Sequence, residues 1–445
     1  MNIEYIKSGI LTILVGMSLL LTLALWTYQP AHESLNDTNY IDETVIDGEE
    51  KTLTSLLQPS EIIAHDGNSH SSLDDREDEL RLFEEIRTWQ VTQTNPEPQV
   101  RNRQLAIENS YTENIEIRFP LEVPESFITQ MFSLVDTDST WDQTFNRMFL
   151  FLSQSEQTVI VKFVSDEHGE QITGQIESRS AFDRIDEVIN QNSNIPLSQV
   201  TLENGKKLYL TTEEKNVDSY LLLTREIDID PMINLLFSNP DLVSRQGTIN
   251  RDGGTVYYND GTRRIETTTV FRDDRVMEYV NPLSSQSNTL SRSELIRQSL
   301  QNTNDYKGWT DDYQVDEITE SMNRIRYRMY YNELPVFETQ GNATMIEEEW
   351  ENNELHILKR PLFKTERQIE PSSVTVEPAE EVYEFLRQIE DKISMGPVQN
   401  IRLGYQLNTN NENVLELEPE WHINYNGRWR PFSFFEEIYS GREVE

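Results

Sequence analysis

The chain of 445 residues has no cysteine. That absence removes disulfides, thiolate nucleophiles, zinc–thiolate sites and a lipoprotein anchor together. An exported protein without disulfides fits a Gram-positive bacterium, which has no oxidising periplasm. Positive charge is scarce too: 38 Lys and Arg face 78 Asp and Glu, a formal net charge of −40. Phosphate backbones and anionic headgroups repel such a surface, so nucleic acid is excluded as a partner. The acidity serves solubility outside the cell, with a structural role for divalent cations as the lesser reading. Histidine is also sparse. Of His32, His65, His70, His168, His356 and His422, none forms HExxH. His65 and His70 flank HDGNSH, a spacing that fits no helical ligand pair and reads as a solvated turn. There is no G-x-S-x-G elbow, S-x-x-K, P-loop or G-x-G-x-x-G. Asp136-Thr137-Asp138 begins like a calcium loop, but Trp141 and Arg147 stand where Gly and Glu are needed. With 78 acidic residues, neighbours such as Glu380 and Glu381 single out no glycosidase pair. No catalytic residue, cofactor or metal site is expected, and the chain reads as a non-enzyme.

What the chain does have is one long apolar run. No residue from Ser8 to Ala31 is charged, and residues 9–28 read GILTILVGMSLLLTLALWTY. Twenty residues at about 1.5 Å each span about 30 Å, the thickness of a hydrocarbon core. Trp26 and Tyr28 sit where an aromatic belt marks the outer interface, and Pro30 ends the helix. A cleaved signal peptide would have a shorter core followed by a small-x-small site, so an uncleaved anchor is expected. Lys7 and the terminal amine lie on one side. Glu33, Asp37, Asp42, Glu43, Asp47, Glu49 and Glu50 lie on the other, where no Lys or Arg occurs before Lys51. The positive-inside rule places the N-terminus in the cytoplasm and the bulk outside the cell, a single-pass cell-membrane protein. Gly9, Thr12 and Gly16 fall on one face of this helix, at i, i+3 and i+7, where small side chains let a partner's transmembrane helix approach closely.

Beyond the anchor, 36% hydrophobic and 9% aromatic residues suffice for folded cores. Leu80, Phe83, Ile86 and Trp89 suggest a helical stripe, and residues 95–98 (NPEP) a loop. Strands are expected over 115–119 and 158–164, with helices over 125–135 and 140–152 between them. Ser180 with Asp183 resembles a capping pair ahead of Phe182, Ile185, Val188 and Ile189. Asp230-Pro231 reads as N-cap and first helical residue. Ser291-x-x-Glu294 is a capping box opening a helix to about residue 301. A helix over 378–393 carries Val382, Phe385, Leu386, Ile389 and Ile393 on one stripe, stopped by Gly396-Pro397. Residues 421–425 and 428–434 flank the turn Asn426-Gly427, a hairpin signal. The expected fold class is α+β, with antiparallel sheets and flanking helices behind a single transmembrane helix. The expected division is a tail 1–8, a membrane helix 9–30, and extracellular domains 31–175, 176–288 and 289–445.

The opening IKSGILTILVGMSLLLTLALWTYQP resembles that of the YycH (WalH) family. Residues 257–262 (YYNDGT) with 279–282 (YVNP) are similar to the family's central region. Residues 330–337 (YYNELPVF) and 417–423 (LEPEWHI), with Gly427-Arg428-Trp429, are similar to its C-terminal region, so the resemblance runs the whole chain in order. It implies an accessory regulator of the WalK–WalR (YycG–YycF) two-component system, which governs genes of cell-wall metabolism. It also implies a three-domain ectodomain, the last two domains similar in fold to a sister protein, YycI. Contact with the sensor kinase WalK would run through transmembrane helices, leaving Gly9, Thr12 and Gly16 as the docking face. The competing expectations are a membrane-anchored wall-processing enzyme and a passive surface protein.

Overall fold

Alternating apolar and polar residues dominate the chain, and most of it folds as sheet. A computed structural model describes residue 17 and residues 45–97, 113–135, 144–167, 169, 171–191, 193–250, 253–271, 274–282, 288–338, 343–369, 371–409 and 414–441. Gly9, Thr12, Gly16, Trp26 and Tyr28, and the calcium-like start at 136–138, lie outside the described residues. Among the described residues no helix is long and apolar enough to cross a membrane. Residues 43–445 make one compact unit.

Two sheets carry that unit. The first holds ten strands between Glu61 and Thr211. At its centre Glu61–Asp66, Glu113–Pro124, Thr144–Ser153, Thr158–Val164 and Gln171–Ile176 pair antiparallel in that order. Ile62, Ala64, Ile115, Ile117, Met148, Leu150, Val161 and Phe163 join the main core. The helices Arg76–Arg87 and Arg179–Ile189 add Leu82, Phe83, Ile86, Phe182, Ile185 and Val188 to it. Five rings close on themselves edge to face: Phe83–Phe119, Phe119–Phe145, Phe145–Phe163, Phe163–Phe132 and Phe132–Phe83, at 5.9, 5.4, 5.2, 5.4 and 6.0 Å. Each such pair contributes about 0.5–1.5 kcal/mol beyond the area it buries.

The second sheet holds fifteen strands between Lys215 and Pro431. It is antiparallel except where Leu334–Phe337 runs parallel to Val398–Thr409. Lys215–Glu226 pairs with Val414–Tyr425 on one side and Phe363–Gln368 on the other, and the latter ends the sheet. The α+β class holds.

Several local expectations need correction. The helix expected over 140–152 gives way, in its described part, to a strand: Thr144–Ser153 is a central strand whose apolar run serves both faces, Met148 and Leu150 one way, Phe149 and Phe151 the other. Residues 125–135 give only a short 3-10 turn, the helix Ile128–Met131 and two strand residues. The core face of Arg76–Arg87 is Glu79, Leu82, Phe83 and Ile86, because the 80-83-86-89 spacing drifts off a 3.6-residue period. Trp89 lies past its end. Pro96 sits in the strand Gln90–Glu97 beside a register shift, as proline in a sheet does. The cap of Arg179–Ile189 is Ser178, not Ser180. Asp230 is the first helical residue rather than the cap. The helix Ala379–Gln388 stops before Ile389 and Ile393, which are buried all the same. Beyond Pro431 the final hairpin turns into the helix Phe432–Ser440.

Candidate functional site

The described part of the folded body begins with residues 45–51. Here the chain is held as a strap. Ile46 N donates to Tyr306 O at 3.0 Å and Glu49 N to Trp309 O at 2.9 Å. Lys51 and Asn304 exchange bonds, Lys51 N to Asn304 Oδ1 at 2.9 Å and Asn304 Nδ2 to Lys51 O at 2.8 Å. Lys51 Nζ donates to Tyr313 O at 3.0 Å and pairs with Asp312. Gly48 lies flat on the backbone: a Cβ there would collide with Lys307 O and stand 2.7 Å from Trp309 O. Asp47 is the ionic centre of the strap. It pairs with Arg225, and Lys364 Nζ reaches its carboxylate at 2.8 Å and its carbonyl at 2.9 Å. Hydrogen bonds from Lys364 and Arg225 lower its pKa to about 2. The acids after the apolar run give the sequence-level signal of a polar flank, but nothing in the sequence pairs Asp47 with residues 178 and 317 positions away.

A second polar cluster lies on the first sheet. His65 and His70 are not a solvated turn. They face each other across a hairpin, with Nδ1 atoms 2.8 Å apart, so one ring must donate and the other accept. Only the tip, Asp66 to Ser69, is exposed. His65 Nε2 lies 3.1 Å from Glu116 Oε2, while Arg118 Nε donates to Glu116 Oε1 at 2.8 Å and Arg147 stands 3.5 Å from it. Arg147 also pairs with Asp166 at 2.5 Å. Burial works against Glu116, but Arg118, His65 and Arg147 outweigh it and hold the carboxyl well below its usual range. Alternation along Glu113–Pro124 puts Glu116 and Arg118 opposite Ile115 and Ile117. The cluster thus tiles the face of the sheet that bears Phe149, Phe151 and Val164. It holds charge in place and offers no open position for a substrate.

The residues that suggested a family converge in part. Phe337 stacks on the His422 ring at 4.1 Å and 22°, with Trp429 at 5.2 Å and the Arg328 guanidinium carbon 4.5 Å from the Phe337 ring centroid. Arg328 makes a two-pronged pair with Asp316, 2.9 and 2.8 Å. Burial first, and the Arg328 charge after it, lower the His422 pKa to about 3, so the stacked ring is a neutral imidazole at neutral pH. This junction packs Phe337 of Leu334–Phe337 against His422 of Val414–Tyr425 and Arg328 of Arg324–Tyr331, and its part is structural. Tyr257, by contrast, opens on an exposed cleft of about 540 Å³ with Leu242, Asp260 and Arg264. Among the described residues no group of three or more His, Asp or Glu is placed to hold a metal ion.

Comparison with known proteins gives this architecture a context. The family model described as YycH protein, N-terminal domain, matches residues 4–194, and that of the YycH protein, C-terminal domain, matches residues 205–437. A protein of Bacillus subtilis (strain 168) named two-component system WalR/WalK regulatory protein YycH is 23% identical over 451 residues, covering 97% of each chain. The crystal structure of YycH from Bacillus subtilis superposes with a TM-score of 0.71 at 19% identity, over 87% of this chain and 99% of that one. The fold is therefore the one seen in that crystal structure. With the C-terminal model alone covering more than half the chain and the N-terminal model most of the rest, this chain belongs to the YycH family.

Proposed function

We propose that the chain is a membrane-anchored accessory regulator of a WalK-type sensor kinase, acting with a YycI-type sister protein and so tuning cell-wall metabolism genes. The observation that carries this reading is the family match, which runs from residue 4 to residue 437 in two adjoining parts. The curated relative, aligned over nearly its whole length, is named as a regulator of WalR/WalK. The apolar run at 9–28 lies inside the N-terminal match, which supports its being part of the working protein.

Regulation of this kind is differential binding. The anchor helix biases the kinase only by packing better against one signalling state than the other. Gly9, Thr12 and Gly16 form the docking face for that contact, and Trp26 and Tyr28 fix the helix's depth. Replacing Gly9 and Gly16 by leucine abolishes the effect on kinase output under this reading. The direct test is co-purification of the full-length chain with its cognate sensor kinase and YycI-type protein, beside a form whose residues 1–31 are an unrelated anchor. Loss of association on the exchange supports the reading. No association in either form refutes it and returns the chain to an anchored surface protein or wall-processing enzyme.

A further inference from the structure

We propose that residues 45–51 act as a releasable strap whose hold on the second sheet is coupled to the pairing of the edge strand Phe363–Gln368, so that the N-terminal segment and that edge change state together. The inference rests on the proposed function only in making residues 1–44 the anchored segment that the strap controls.

The coupling comes from register. Arg225 and Lys364 stand directly opposite each other on neighbouring antiparallel strands. Like charges so placed destabilise a strand pair. Asp47 reaches both cations from outside the sheet and neutralises the repulsion. The other carboxylate near Arg225 is Glu366, at 3.7 Å. The strand that depends on this charge is also at an edge: it ends the sheet, and its pairing slips register between Leu223 and Thr224. Asp47 is thus a ligand of the edge as much as the edge is a ligand of Asp47. Lifting the strap leaves two cations face to face, and anything that draws the edge strand away removes one of the two ion pairs of Asp47. By linkage the two effects are the same size.

The strap has little else to hold it. Its main-chain bonds go to the backbone of Tyr306 and Trp309, to the Asn304 side chain and to Lys364 Nζ, Lys51 adds contacts at 312–313, and Gly48 permits the close approach. Within the strap the one core side chain is Ile46, 3% exposed, and the larger apolar grip of Leu53 and Leu56 follows it. A pull on the strap therefore works against a single core side chain, the ion pairs of Asp47 and Lys51 and a few hydrogen bonds. Surface ion pairs are individually weak, so the strap opens without unfolding the rest.

The test is hydrogen exchange on the full-length protein in nanodiscs, comparing the native chain with Asp47→Asn and Gly48→Ala. Both variants are expected to speed exchange over 45–51 and over 363–368 together, by roughly three- to fivefold, the scale of a surface ion-pair network. The central strand 144–153 should stay unchanged. Faster exchange at 45–51 with 363–368 unmoved, or no change in either, overturns the coupling. A kinase-dependent reporter in the native host separates this from the parent reading, and Asp47→Asn should shift it. A reporter that ignores Asp47→Asn but responds to replacement of residues 1–31 overturns the strap while the regulator stands. One that ignores both overturns both.

Discussion

The carboxyl of Glu338 follows directly after the Phe337 stack and gives a quantitative test of the electrostatics there. Burial pushes its pKa up to about 7 from 4.5, against hydrogen bonds from Ala343 N and Thr344 N and the charge of Arg328. Ala343 N donates to Glu338 Oε2 at 2.9 Å. An acid whose folded pKa is raised holds its proton longer in the native state than in the unfolded one. Its ionisation therefore opposes folding not at all below about 4.5 and fully above about 7. The shift corresponds to roughly 3 kcal/mol at 1.36 kcal/mol per unit. Glu338 is only half-buried, and solvent screening reduces this to about 1–2 kcal/mol. Glu338→Gln keeps an oxygen for Ala343 N and cannot ionise. The variant should be more stable than the native chain by about 1–2 kcal/mol at pH 8 and equal or slightly less stable at pH 4.5. Urea unfolding followed by tryptophan fluorescence at both pH values measures the difference. An identical difference at the two pH values, or destabilisation at pH 8, refutes the reasoning.

Other perturbations have equally definite outcomes. Phe337→Ala empties the contact among His422, Trp429 and Arg328 and should cost about 3–5 kcal/mol in urea unfolding, with Phe337→Leu costing clearly less. Gly404→Ala puts a Cβ 2.5 Å from Phe337 Cε2 and 2.7 Å from Pro335 O, so it should destabilise the parallel pairing by about 1–3 kcal/mol. Glu116→Gln leaves Arg118 and Arg147 without their shared carboxylate and should cost about 3–5 kcal/mol at pH 7. The folded Glu116 pKa is depressed, so its contribution is present above 4.5 and lost as pH falls through the folded value. Acid unfolding of the variant should therefore be flatter than that of the native chain, and parallel curves would count against the buried ion cluster.

Local signals proved legible where one physical cause dominates. Ser291 and Glu294 form the reciprocal capping box their spacing implies, and the helix runs on to Asp305. Asn426 and Gly427 both take positive φ, 54° and 77°, as a two-residue hairpin turn requires. Where two causes compete, the sequence misleads. The run in 144–153 has too many apolar residues to show alternation, because a central strand is covered on both faces, and it imitates a buried helix. The face of Arg76–Arg87 was obscured by Glu79, a buried carboxylate that Arg76 neutralises at 2.5 Å. The two candidate features were illegible for a further reason. His65 meets Glu116 and Asp47 meets Lys364 only after strands distant in sequence have paired, and no periodicity records such a meeting. Gly9, Thr12 and Gly16, expected as a docking face, lie outside the described residues.

The order of strands in the second sheet has a consequence for synthesis, which proceeds from the N-terminus. Lys215–Glu226 is flanked by Val414–Tyr425 and Phe363–Gln368, both made long after it. The ribbon Ser244–Val280 can close locally, but this strand has to wait with its hydrogen-bonding edges unfilled. Leu221 to Leu223, among its most apolar residues, are unshielded for the same interval. Closing so long a loop is slow, and a chain stopped anywhere before residue 414 would present a sticky, unpaired strand. Nascent chains of this protein therefore have a late commitment point, and premature termination shortly before residue 414 should yield aggregation rather than a shortened soluble product.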